Sequence, residues 1–91
     1  MDDGSTLRPS QVMYQDTSKD SIYDAAKSTF GKNVKRVRRL RELSQEDLGL
    51  KINADQAYIS RIESGSLNPT IESIAEIAQA LNIPFLELFR D

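Results

Sequence analysis

Ninety-one residues with a formal net charge of −2 bound this chain to one small domain. The absence of cysteine and histidine removes disulfide staples, thiolate or imidazole nucleophile–base pairs and the usual zinc sites. Carboxylates alone remain for a hard cation or for acid–base work, and no spacing among them suggests either, so no cofactor, no metal and no enzymatic role are expected. With no apolar run long enough to span a bilayer, no signal-peptide core and no lipidation motif, a soluble, cytoplasmic protein without a membrane partner is expected. The charge is unevenly spread. Residues 27–61 hold nine basic and four acidic residues, a local balance of +5, whereas residues 1–26 and 62–91 stand at −3 and −4. A basic middle between acidic ends is the pattern of one positive face.

Residues 1–19 are polar, with Gly, Pro and scattered Ser and Thr, and read as a mobile tail. Leu7, Val12, Met13 and Tyr14 are its isolated apolar residues, open to local docking or to a partner. From Asp20 the composition changes. Ile22, Ala26, Phe30, Val34, Val37 and Leu40 follow a helical stripe, with Asp20 or Ser21 available as a cap. Gly31 interrupts the stripe, so the helix either runs as one piece or begins near Ser28 after a turn or short helix, and the start near Ser28 is the favoured expectation. The folded domain is accordingly expected over residues 27–91, behind an extension of residues 1–26. Six basic residues between Lys32 and Arg41 sit on the polar face of that helix. For Lys32 and Lys35 a solvated face suffices; Arg38 has a candidate acidic partner further along.

The stretch from Ser44 to Gly65 reads as two short helices around a tight turn. Leu48 and Ile52 lie four apart on the first, Ile59 and Ile62 three apart on the second, with small Ala54 between them. Ser44 can cap the first helix, with Asp47 three residues on as a short capping box, and Asp55 can cap the second. Asn53 occupies the turn, where positive φ must be tolerated, and Gly65 can end the second helix in the left-handed region. Gly49, small and within the first helix, lets the two approach closely. This is the layout of a helix-turn-helix whose second helix is presented for reading DNA.

Beyond Gly65, Ser66 to Pro69 form a loop, and Thr70 caps a third periodic segment of Ile71, Ile74, Ile77, Ala78 and Leu81, with Asn82 as its terminator. Pro84 suits the first turn of a final short helix carrying Phe85, Leu86, Leu88 and Phe89. The expected architecture is all-α, five helices around one core with short connections.

These residues resemble the Cro/C1-type (XRE) helix-turn-helix family, which includes lambdoid phage repressors and restriction–modification controller proteins. The resemblance covers about residues 28–89. Its marks are Ser44-Gln45-Glu46-Asp47-Leu48, then Ile59-Ser60-Arg61-Ile62-Glu63 with Gly65, then Asn68-Pro69-Thr70, and the Asp55-to-Ser60 run with Tyr58 is most similar to the controller proteins. It implies a lambda-repressor-like fold and a sequence-specific transcription regulator that binds double-stranded DNA as a homodimer on a palindromic operator. Position by position, it implies that Gln56, Ala57 and Arg61 face bases. Ser44, Gln45, Tyr58, Ser60, Asn68 and Thr70 then contact the backbone, with Gln45 also bracing its recognition-helix neighbour. Arg38 and Glu63 match a partly buried ion pair tying the first helix to the recognition helix. The final helix, through Phe85, Leu86 and Phe89, is the expected dimer interface, although the same residues also suit the core.

Three positions depart from the pattern. Glu42 stands where a glycine commonly ends the first helix, Asn53 replaces the usual turn glycine, and Leu50 is apolar where the family is polar, which suggests a contact with the N-terminal tail. The tail also motivates a rival reading, an antitoxin or protein-interaction regulator in which DNA binding is secondary. RNA polymerase or another protein is its expected partner there.

Overall fold

A computed structural model describes residues 18–91. Four α-helices follow in order: α1 (Lys19–Leu40), α2 (Gln45–Lys51), α3 (Gln56–Ser64) and α4 (Ile71–Leu81), and a 3-10 helix (Phe85–Phe89) closes the chain. There is no strand among the described residues. The tail residues Leu7, Val12, Met13 and Tyr14, and with them most of the expected extension, lie outside the described residues. Helix α1 packs on α3 and on the 3-10 helix, α2 packs on α3, and α4 closes the base against α2 and the 3-10 helix.

The core is one cluster drawn from every element: Phe30, Val34 and Val37 of α1, Leu48 of α2, Ile59 and Ile62 of α3, Ile74, Ile77, Ala78 and Leu81 of α4, and Leu88. Each apolar residue recurs at three- or four-residue spacing, so each helix turns one stripe inward. Phe30 stacks on Phe89 with ring centroids 5.4 Å apart, and Phe89 meets Phe85 at 5.8 Å.

Three expectations are corrected. The first helix does not begin near Ser28; it runs unbroken from Lys19, capped by the Ser18 hydroxyl rather than by Asp20 or Ser21, and so passes through the boundary expected at residue 26. Gly31 is no break. It is buried where α1 crosses the end of α3: a Cβ placed there would collide with the Ile62 carbonyl oxygen and stand 2.9 Å from that of Glu63. Second, the apolar stripe outruns the core. Ile22 and Ala26 are exposed where α1 runs beyond the body at its N-terminal end, and Leu40 is exposed even though the next residue, Arg41, reaches the end of α4. Third, the closing segment is 3-10 rather than α-helix, with Pro84 preceding it instead of lying within its first turn. Five residues are too few to sustain i→i−4 bonds. The carbonyls of Leu88 and Arg90 are instead taken by the buried Asn33 amide, at 3.0 and 2.7 Å.

The four α-helices of the described residues end alike. The amides of Leu43, Ala54, Ser66 and Ile83 reach back five residues to the carbonyls of Arg38, Gly49, Arg61 and Ala78 at 2.8–3.1 Å. The residue just before each of those amides must then adopt positive φ: Glu42 at 60°, Asn53 at 60°, Gly65 at 77° and Asn82 at 58°. The departures at Glu42 and Asn53 therefore preserve the turn geometry, at a steric cost that is larger for Glu42.

Candidate nucleic-acid interface

Helices α2 and α3 form the turn-linked pair. Ser44 and Asp47 make the reciprocal capping box at the start of α2: the Asp47 amide donates to the Ser44 hydroxyl at 2.9 Å, and the Ser44 amide to the Asp47 carboxylate at 3.0 Å. Hydrogen bonding to the Asp47 carboxylate, by the Ser44 amide first and the Ser44 hydroxyl second, holds that carboxyl below its usual value. Asp55 caps α3 by accepting from the Tyr58 amide at 2.8 Å. Close approach of the two helices depends on Gly49, where an added Cβ would stand 2.8 Å from the Ala54 carbonyl oxygen.

A line of polar contacts runs from the interior to the surface of this pair. Arg38 grips Glu63 with two bonds, Nε to Oε2 at 2.6 Å and Nη2 to Oε1 at 3.0 Å, and its Nη1 donates to the Leu43 carbonyl at 2.8 Å. The two side chains are only 9% and 4% exposed, so removing either would strand a buried charge. The Glu63 hydrogen bond raises the Arg38 guanidinium above its ordinary value, against the opposing effect of burial, with the nearby negative charge adding to it. Gln45 Nε2 then donates to Glu63 Oε1 at 3.0 Å, and Gln56 Nε2 donates to Gln45 Oε1.

The chemistry of the line fixes its direction. A carboxylate only accepts, so Gln45 must turn its NH2 toward Glu63 and its carbonyl toward Gln56. Gln56 in turn spends one N–H on Gln45, which leaves its own carbonyl oxygen and second N–H for something else. A buried ion pair thus sets the orientation of an exposed amide at the start of α3.

Around that amide, Ala57 and Arg61 of α3 are exposed, and the Arg61 guanidinium makes no hydrogen bond or ion pair among the described residues. Tyr58 and Ser60 are half-buried on the flanks of the helix, and Asn68 is exposed in the loop. Ser44 and Thr70 are exposed but committed to capping; Thr70 accepts from the Ser73 amide at 3.0 Å. Leu50 is exposed. At the far end of the chain, Phe85 and Phe89 lie half-buried against the core, while Leu86 is 74% exposed.

Two supporting residues escaped the sequence reading. Asn33 ties α1 to the 3-10 helix, and Arg41 closes α4 by donating to the Leu81 carbonyl at 2.9 Å. Asn33 sits one place before Val34, at the edge of the buried stripe, which is its only sequence signal. Arg41 has none, since its partner lies forty residues away.

A helix-turn-helix family model matches residues 34–88, spanning the box at Ser44, helix α3 and the closing segment. The chain belongs to the Cro/C1-type helix-turn-helix family. This helix-turn-helix protein is 40% identical over 58 residues to an uncharacterized HTH-type transcriptional regulator of Sinorhizobium fredii, covering 64% of this chain and 75% of that one. It is 36% identical over 66 residues to control protein C.MunI of Mycoplasma sp, covering 71% and 89%. The crystal structure of the restriction-modification controller protein C.AhdI from Aeromonas hydrophila is similar with a TM-score of 0.68 at 34% identity, over 71% of this chain and 98% of that one. The family consists of DNA-binding transcription regulators, and the all-helical fold agrees with it. Among the described residues no helix is long and apolar enough to cross a membrane.

Proposed function

We propose that this chain is a sequence-specific transcription regulator that binds double-stranded DNA as a homodimer on a palindromic operator. The observation that carries this reading is the line from Arg38 through Glu63 and Gln45 to Gln56. It holds an amide carbonyl and an N–H at the start of α3, the pair of groups that matches adenine at N6 and N7. Arg61, exposed on the same helix, has the fork that matches guanine at O6 and N7. Ala57 lies between them with a methyl group suited to the thymine methyl.

Gln45, Tyr58, Ser60 and Asn68, with the capped helix starts at Ser44 and Thr70, flank that surface as backbone contacts, since free N–H groups at a helix start attract phosphate. One such motif touches too few bases to define a site, which calls for two copies about a twofold axis. Leu86, with the outer edges of Phe85 and Phe89, offers apolar surface for that contact. The partner expected for the extension of residues 1–26, RNA polymerase or another protein, rests on sequence alone.

Selecting bound sites from random duplexes would yield half-site, spacing and symmetry together. Titration of Arg61→Ala and Gln56→Ala against every single-base variant of one half-site should then show losses of about 1–3 kcal/mol, concentrated at one base pair each. Gln45→Ala should weaken good and poor sites more evenly, and its effect on the Gln56 base pair measures the brace. With roughly three or four phosphates neutralised per protomer, log affinity should fall against log salt with a slope of about −5 to −7 for the dimer. Equal losses across all variants for both Arg61→Ala and Gln56→Ala would sink the assignment of α3 as the reading helix.

A further inference from the structure

The apolar stripe of α1 has an unused part. Where the body lies beneath it, the stripe buries Phe30, Val34 and Val37; toward the N-terminus it continues through Tyr23 and Ala26, with Ile22 beside them, and the body has ended. Ile22 is 57% and Tyr23 47% exposed. The overhang opens onto a groove of about 430 Å3 walled by Tyr23, Ala26, Phe30, Pro69, Ile71 and Phe89, and Ile71 at its rim is 72% exposed. A helical segment of this length without tertiary partners is marginal in water.

We infer that the N-terminal half of α1 is a self-docking shelf: in the homodimer two shelves pair antiparallel, covering each other's Ile22, Tyr23 and Ala26. This rests on the homodimer reading and names an interface for it beyond the 3-10 helix. Charge selects a second copy as the occupant. The shelf carries Lys19 and Lys27 against Asp20 and Asp24, so it is neutral and offers nothing to a phosphate backbone. Asp20 and Lys27 stand seven residues apart, two turns along one side of the helix. Antiparallel pairing centred near Tyr23 sets Asp20 of each protomer beside Lys27 of the partner subunit. Among the described residues Lys27 makes only a 3.7 Å contact with Asp24, and Asp20 has no ion pair. The placement also leaves DNA binding free. Gly31 and Arg38 turn toward α3, whereas Phe30 and Asn33 turn toward the 3-10 helix, and the shelf continues on the latter side.

The test is sedimentation equilibrium on the full chain over a wide concentration range, with helical circular dichroism as the folding control. Wild type should dimerise, and Ile22→Glu and Tyr23→Glu should each weaken the dimer by about a hundredfold, with helix content retained because both positions are exposed. Asp20→Lys should weaken it less, and adding Lys27→Asp to that variant should restore it. A dimeric wild type indifferent to Ile22→Glu overturns the shelf and leaves the homodimer standing. A wild type that is monomeric at every concentration overturns both. Failure of the charge swap to restore the dimer overturns the antiparallel pairing. If Leu7→Ser, Val12→Ser and Tyr14→Ser together dissolve the dimer with the shelf intact and helix content retained, the N-terminal segment rather than the shelf joins the copies and the proposal is wrong.

Discussion

The two halves of α1 carry the same apolar period and meet opposite surroundings. From Phe30 to Arg38 the helix is walled in: Phe30 stacks on Phe89, Gly31 lies against the end of α3, Asn33 holds the 3-10 helix, and Arg38 grips Glu63. From Lys19 to Ser28 the helix has its Ser18 cap, one weak ion pair and mostly exposed side chains. The difference teaches that period fixes which face of a helix is apolar, while only the fold decides whether anything covers that face. It also separates stability from interaction, because an apolar residue that stabilises nothing within the chain is free to serve a contact outside it.

The largest expected effect breaks the walled half. Phe30→Ala should cost about 3–5 kcal/mol through lost burial and a cavity under Phe89, whereas Ile22→Ala at low protein concentration should stay within about 0.5 kcal/mol. Urea midpoints of the two variants measure the contrast directly, and equal costs would erase it.

A smaller effect, and one opposite to helix propensity, is expected at Gly31. Alanine is the better helix former, yet Gly31→Ala should destabilise by about 1–3 kcal/mol, because α1 must move off the Ile62 and Glu63 carbonyls. The same exchange in reverse on the open half, Ala25→Gly, should cost about 1 kcal/mol at most and show mainly as faster amide exchange over residues 21–26. A Gly31→Ala variant as stable as wild type would mean that the crossing is looser than the geometry requires.

At the end of the walled half, Glu42 bears a left-handed conformation without being glycine. Glu42→Gly should raise stability by about 1 kcal/mol, and Asn53→Gly by less, since asparagine tolerates that region better. Thermal melts of the two variants rank the strain.

The smallest effect is acid-specific and lies just past α1. The Asp47 carboxyl is held below its usual 3.8 by the Ser44 amide and hydroxyl, so its capping contribution is present above that value and fades as pH falls through the lowered one. Asp47→Asn should therefore lose stability at neutral pH and converge on wild type in acid. Denaturation midpoints taken from about pH 6 down to about pH 2 would show the convergence. Parallel curves would put the box's value elsewhere.

Much of the site was legible because its determinants are local. The capping box at Ser44 and Asp47, the caps at Asp55 and Thr70, and the terminators Asn53, Gly65 and Asn82 each act within about five residues, and the sequence alone places them. The helix-turn-helix and the exposed face of α3 follow from that punctuation together with the 3.6-residue period. Other features were decided by tertiary structure. Gly31 looks like a break until α3 is seen to cross it; Asn33 and Arg41 look like solvated polar residues until their carbonyl partners arrive from far along the chain. The closing segment is tied to α1 by Asn33 from the opposite end of the domain, and Ile22 and Ala26 are bare because the body stops short of them. Local hydrogen bonds are specified by neighbours in sequence, whereas burial and close approach are relations between distant segments, which exist only once the chain has packed.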